Sequence, residues 1–170
     1  HLDYRGWKMG EVFEKLSAEH QLDLPADFEP RFRERQMKYF ETHLKPIPGV
    51  RELLKNISLP MAVVTSGPMP KVLRALDITG LSEYFGDSLY SAYEVGMWKP
   101  DPGIYRHAAS DMGCPIERCL AVEDSPIGLQ AAATCGAVPV FLNRYGDSVE
   151  YGNVLEIGSM EEISNLLEQF

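Results

Sequence analysis

Three short stretches of this chain carry residue types suited to an anionic oxygen or a hard cation. The apolar run Met61-Ala62-Val63-Val64 ends in Thr65-Ser66-Gly67. Two hydroxyls and a flexible backbone at the mouth of a helix can hold an anionic oxygen; the same tripeptide is also a frequent helix-capping turn. The run Cys119-Leu120-Ala121-Val122 ends in Glu123-Asp124-Ser125-Pro126. Adjacent carboxylates repel each other unless something positive is shared between them, and hard divalent cations prefer carboxylate oxygen, so the pair reads as a magnesium site. The alternative is that Asp124 or Ser125 caps the next helix while Glu123 points to solvent. Lys99 stands in Gly96-Met97-Trp98-Lys99-Pro100-Asp101-Pro102, where the prolines stiffen the loop. A lysine held this way can set a compact charge on a phosphoryl oxygen or a neighbouring carboxylate, although a lone loop lysine is more often solvated.

The elements that must position these residues follow from periodicity. Met9, Val12, Phe13 and Leu16 form the stripe of an amphipathic helix over Met9 to His20. After Leu24-Pro25, Asp27 can cap a second helix with Phe28, Phe32, Tyr39 and Phe40 as its aromatic face. Pro46-Ile47-Pro48-Gly49 then punctuates the chain, which divides it into a helical subdomain over 1–46 and a second unit over 47–170. In that second unit helices are expected at Val50 to Asn56, Pro70 to Leu76, Pro102 to Met112, Pro126 to Cys135 and Met160 to Phe170. Strands are expected at Met61 to Thr65, Cys119 to Glu123 and Val138 to Leu142, with a weaker extended stretch near Ser88 to Ser91. This alternation predicts an α/β fold, a doubly wound parallel sheet wrapped by helices. Ligands bind such sheets beyond the carboxyl ends of the strands, and each of the three stretches falls at or just beyond an expected strand end. Asp101-Pro102 and Ser125-Pro126 each place a cap before a proline, Gly136 can end a helix, and Ser159 with Glu162 has capping-box spacing.

The bulk composition narrows the partners. Sixteen basic against twenty-five acidic residues give a net charge of -9, which supplies no long-range attraction for nucleic acid or for an anionic membrane. A phosphate site would have to be local. Neither the three cysteines nor the four histidines have zinc-ligand spacing, so Cys114, Cys119 and Cys135 read as reduced thiols of a cytoplasmic protein. No apolar run approaches the roughly 18 residues of a membrane span, and no signal-peptide layout is visible.

Taken together and in order, VVTSG, WKPDP and VEDSPIG resemble motifs II, III and IV of the haloacid dehalogenase superfamily. KPDP followed by a strand ending in EDSxxG is similar to the branch that includes β-phosphoglucomutase and small sugar-phosphate phosphatases. The resemblance runs from Pro48 to about Leu142. It implies a magnesium-dependent phosphatase that forms an aspartyl-phosphate and acts on a small phosphorylated metabolite, a sugar phosphate or sugar-acid phosphate. By motif, Thr65 and Lys99 would be catalytic. Thr65, the Ser66 amide and Lys99 would bind the phosphoryl group, and Glu123 with Asp124 would hold Mg2+. The two N-terminal helices occupy the place of the family's helical cap. Tyr4-Arg5-Gly6-Trp7-Lys8 resembles its substrate-selecting loop, which makes Arg5, Trp7 and Lys8 candidates for specificity, Arg5 and Lys8 being equally readable as solvated charges.

The family's nucleophile lies in a DxDGT motif at the end of a central first strand, and no DxDGT occurs in these 170 residues. Asp3, the only acid before the first helix, has no apolar run ahead of it and is not assigned that role. The expectation is an N-terminally truncated form lacking the central strand and part of the cap, inactive as it stands and monomeric. A sugar phosphomutase and a non-catalytic binding or regulatory protein of the same fold are the competing readings. A two-component receiver ranks below them, because there the acids precede the hydroxyl.

Overall fold

The computed structural model describes residues 4–168; Asp3 and the end of the C-terminal helix expected through Phe170 lie outside them. The chain opens with two helices, α1 (Met9–His20) and α2 (Phe28–His43), neither of which contains a buried residue. They meet through an aromatic cluster, with Phe13 edge-on to Phe28 and Phe32 at 5.1 and 5.2 Å between ring centroids. The aromatic face read from the sequence therefore serves helix pairing. Asp27 does not cap α2 with its side chain; its carboxylate lies 3.6 Å from Arg31 one turn on.

Beyond Gly49 come α3 (Val50–Asn56), β1 (Val63–Thr65), α4 (Met69–Thr79), β2 (Leu89–Ser91), α5 (Ala92–Val95), α6 (Gly103–Asp111), β3 (Leu120–Glu123), α7 (Pro126–Cys135), β4 (Val138–Leu142), β5 (Leu155–Ile157) and α8 (Glu162–Leu167). Every strand pairing is parallel. β1 pairs with β2 in the register Val64 to Tyr90, while β3, β4 and β5 form a second sheet with Val122 opposite Val140 and Phe141 opposite Glu156. Parallel pairing requires helical crossovers, which the intervening helices supply. Two elements escaped the sequence reading. Leu155–Ile157 spans three residues, of which only Ile157 is buried, and Ala92–Val95 is one turn of helix; both are too short to show a period.

Among the described residues every buried hydrophobic residue lies at Leu53 or beyond. Leu120 and Ala121, adjacent on β3, face opposite ways. Ala121 joins Ile104 and Tyr105 of α6 and Ala131, Ala132 and Cys135 of α7 in one cluster, and Leu120 packs against Leu53, Val140, Leu142, Ile157 and Ile163 in the other. Helices thus cover both faces of the sheet, as a doubly wound fold requires. No helix among the described residues is long and apolar enough to cross a membrane.

The sheet is interrupted between β1 and β3. Among the described residues no strand pairs with the remaining edge of either. Their burial reflects it: β4 is buried along four consecutive residues, whereas no residue of β1 is fully buried and Val122 in the middle of β3 is 38% exposed.

The two clusters predict where stability resides. Leu129 of α7 is completely buried, and Leu129→Ala should lower the unfolding free energy by about 2–5 kcal/mol. Leu59→Ala, at a position 56% exposed, should stay within about 0.5 kcal/mol. Urea unfolding of the two variants checks the contrast, and equal effects would contradict it.

Candidate active site

The ends of β1 and β3 face each other across a cleft of about 510 Å³. Thr65, Ser66 and Gly67 line one wall, Glu123, Asp124 and Ser125 the other, and Lys99 lies between them. Each wall is fixed locally. On the first, the Gly67 amide donates to Thr65 Oγ1 at 3.0 Å, and the fully buried Ser91 at the end of β2 donates its hydroxyl to the Gly67 carbonyl at 2.7 Å. On the second, Ser125 caps α7 by accepting the Gly128 amide at 3.2 Å, with Pro126 at the first helical position. The Ser66 hydroxyl is covered and has no hydrogen-bond partner among the described residues.

Lys99 spans the interruption in the sheet. Its ammonium donates to the Val64 carbonyl of β1 at 2.9 Å and to Glu123 Oε1 at the end of β3. Tyr105 of α6 donates its hydroxyl to that same carboxylate oxygen. Glu123 is thus turned inward, 8% exposed, and a side chain at position 128 would collide with its carboxylate, so Gly128 is required there. The capping proline of α6 and the Asp101 carboxylate, which accepts the Gly103 amide at 2.6 Å, anchor the loop that carries Lys99. The Lys99–Pro100 peptide is cis. Burial pushes the Glu123 carboxyl above its usual range, with the Asp124 charge adding to the effect, while the Lys99 ammonium opposes it. An ammonium has three N–H donors; two are engaged here.

The carboxylate pair is therefore divided in use. Asp124 lines the cleft, while Glu123 is held by Lys99 and Tyr105. Magnesium needs near-octahedral oxygen ligation, and among the described residues no group of three acidic, His or Cys side chains converges to provide it. These residues alone do not fit a complete magnesium site.

Of the three specificity candidates only Trp7 lines the cleft, together with Gly6 and Met9. Arg5 donates to the Asp124 carbonyl at 2.7 Å and to Asp147 at 2.5 Å, and stacks over Tyr145 at 4.5 Å. Lys8 lies 4.5 Å from the Trp98 ring centroid. Both tie the N-terminal loop to the α/β unit. Gly6 permits the close approach: its φ is +80°, and a Cβ there would sit 2.6 Å from Ile127 and 2.8 Å from the Ser125 hydroxyl.

The structure also brings in residues that the sequence reading passed over. Tyr105, Lys71, Arg33 and Tyr93 all belong to the site or its rim. A signal for Tyr105 existed, since it sits one turn into the helix opened by Asp101-Pro102 and so returns toward Lys99. Arg33 carried none, because it arrives from α2 through tertiary packing.

Residues 3–136 match the family of haloacid dehalogenase-like hydrolases. Over 134 residues the chain is 34% identical to the 6-phosphogluconate phosphatase of Escherichia coli, covering 78% of this chain and 61% of that protein. It is 32% identical over 166 residues to the phosphorylated carbohydrates phosphatase of Thermotoga maritima, covering 93% and 74%. The chain thus spans less than two thirds of the first of these relatives. Among solved structures, a HAD family hydrolase from Deinococcus radiodurans with bound phosphate and sodium superposes with a TM-score of 0.73 at 26% identity, over 99% of this chain and 78% of that one.

The Lys99–Glu123 pair yields a test with a defined sign. Lys99→Met leaves a buried carboxylate without its cation and should cost about 3–5 kcal/mol at neutral pH. It also removes the influence that holds the Glu123 pKa down, so that carboxyl should titrate higher still. A carboxyl whose folded pKa is raised binds more protons folded than unfolded, so its stabilising contribution is complete below the unfolded pKa and is lost as pH rises through the folded one. The variant should lose stability with rising pH over a wider window than the parent, in urea titrations paired with carbon NMR of the Glu123 carboxyl. A lower Glu123 pKa in the variant would contradict the assignment.

Proposed function

We propose, for a chain that belongs to the haloacid dehalogenase-like hydrolase family, that it forms the phosphate-binding part of a phosphoric monoester hydrolase acting on a small sugar phosphate or sugar-acid phosphate. The observation that carries this reading is the convergence of Thr65, Ser66, Lys99 and Asp124 on one cleft at the carboxyl ends of β1 and β3, where open parallel sheets bind their ligands. The names of the two phosphatase relatives favour the substrate class.

In this reading the Thr65 hydroxyl and the Ser66 amide hydrogen-bond the phosphoryl oxygens, and the remaining proton of the Lys99 ammonium adds positive charge beside them. Glu123 and Tyr105 orient Lys99. The nucleophile is an aspartate supplied by a further parallel strand that seats between β1 and β3, where no strand among the described residues pairs with the remaining edge of either. Its carboxylate attacks phosphorus, the bond from phosphorus to the sugar oxygen breaks, and the departing oxygen takes a proton from the second aspartate of that strand's DxDGT, which regains one from the water of the next step. Water then attacks the acyl-phosphate, releasing inorganic phosphate and regenerating the carboxylate. Asp124 would serve as one ligand of a divalent cation, which would supply positive charge beside the phosphoryl group. Residues 1–46 act as a cap with Trp7 facing the substrate, and 47–170 as the catalytic unit. The three free thiols suit a reducing compartment, and we place the enzyme in the cytoplasm as a monomer.

A version of the protein carrying, ahead of His1, an apolar strand that ends in DxDGT should release phosphate from a panel of sugar and sugar-acid phosphates when magnesium is present. Thr65→Ala should lower its kcat/KM about 10²-fold, and the 170-residue chain alone should release none. Failure across the whole panel would count against the hydrolase reading. Turnover by the 170-residue chain that Asp124→Asn abolishes would place the nucleophile among the residues present.

A further inference from the structure

The rim of the cleft carries two cations that the proposed phosphate chemistry does not use. Lys71, in the first turn of α4, and Arg33, on α2, both line the 510 Å³ cleft, and both also line a neighbouring cleft of about 360 Å³ between α2 and α4. They mark the join between the two. Arg33 is balanced: Glu29 Oε1 accepts from its Nε at 2.9 Å and from its Nη2 at 2.5 Å, and Nη2 also donates to the Tyr93 hydroxyl at 2.9 Å. No hydrogen bond from Nη1 is seen among the described residues. Lys71 has no carboxylate partner among the described residues; the Phe40 ring centroid lies 5.6 Å from its ammonium. It is half-buried, and both burial and the charge of Arg33 push its pKa down.

Two cations turned toward one space, one of them without a counter-ion, form a site that a bound anion would stabilise. We infer that Lys71 and Arg33 receive a carboxylate of the substrate, so that the site selects phosphorylated sugar acids over neutral sugar phosphates. The inference rests on the phosphatase reading and deepens it. Charge decides the kind of anion. With Arg33 neutralised by Glu29, the uncompensated charge is that of Lys71 alone, which matches a single negative group. A second phosphate would bring about -1.5 to -2. Position agrees with this. A Cβ placed on Gly67 would lie 3.4 Å from Thr65 Oγ1 and 3.9 Å from Lys71 Cδ, so the phosphoryl-binding hydroxyl and the stem of the rim lysine border the same space.

Binding of 6-phosphogluconate, glucose 6-phosphate and fructose 1,6-bisphosphate to the 170-residue chain, followed by calorimetry, tests the assignment. The three differ in the group carried away from the shared phosphate: a carboxylate, no charge, or a second phosphate. The parent chain should bind the sugar acid about tenfold tighter than glucose 6-phosphate, the size expected for one charge-assisted contact. Lys71→Met should erase that preference, and Lys71→Arg should restore it. Thr65→Ala should weaken all three compounds alike. If Thr65→Ala weakens all three while Lys71→Met leaves their ratio unaltered, the carboxylate assignment is overturned and the phosphate site stands. Tightest, Lys71-dependent binding of the bisphosphate would also overturn it. If none of the three binds, both readings fall.

Discussion

A single buried ammonium holds this structure to its purpose. Lys99 donates to the main-chain carbonyl of Val64 on one sheet and to the carboxylate of Glu123 on the other, and it does so where no strand among the described residues joins the two. In an uninterrupted sheet the spacing of strand ends is set by ladder hydrogen bonds. Here that spacing across the cleft is governed in part by a side-chain charge. Desolvating such a pair is costly, and a hydrophobic replacement of similar volume is often at least as stable. A buried pair at this place is therefore better explained by what it positions than by the stability it contributes.

Much of the surrounding architecture follows from accommodating that pair. Gly128 leaves room for the Glu123 carboxylate, Tyr105 supplies a second donor to it, and Ser125 starts α7 at a point that keeps Asp124 on the cleft. Each is an ordinary solution to a local demand: a glycine where a Cβ would collide, a phenol where a lone pair needs a donor, a serine where a helix needs a cap. Their concentration around one carboxylate gives the second wall of the cleft its definition.

The sequence conveyed the strand ends well, because β1, β3 and β4 are β-branched or apolar runs that stop at polar residues, and the helices between them open with proline and end with glycine. It conveyed less about partnership. That Glu123 serves Lys99 rather than standing beside Asp124 as an equal is a fact about packing across 24 positions of sequence, and adjacency suggested the opposite. Arg5 and Lys8 read either as charges for a substrate or as solvated ones, and neither reading foresaw the tertiary contacts with Asp147, Tyr145 and Trp98 that engage them. Leu155–Ile157 was missed because three residues carry no period, and its identity as a strand comes from β4 beside it.

The contact of Arg5 with the Asp124 carbonyl has a structural consequence. The guanidinium belongs to the N-terminal loop, while the carbonyl belongs to the turn that presents Asp124 to the cleft. The backbone that carries the acid at the mouth of β3 is thus braced from outside the α/β unit, by a residue far away in sequence, so the N-terminal loop and the acid's turn are one mechanical unit.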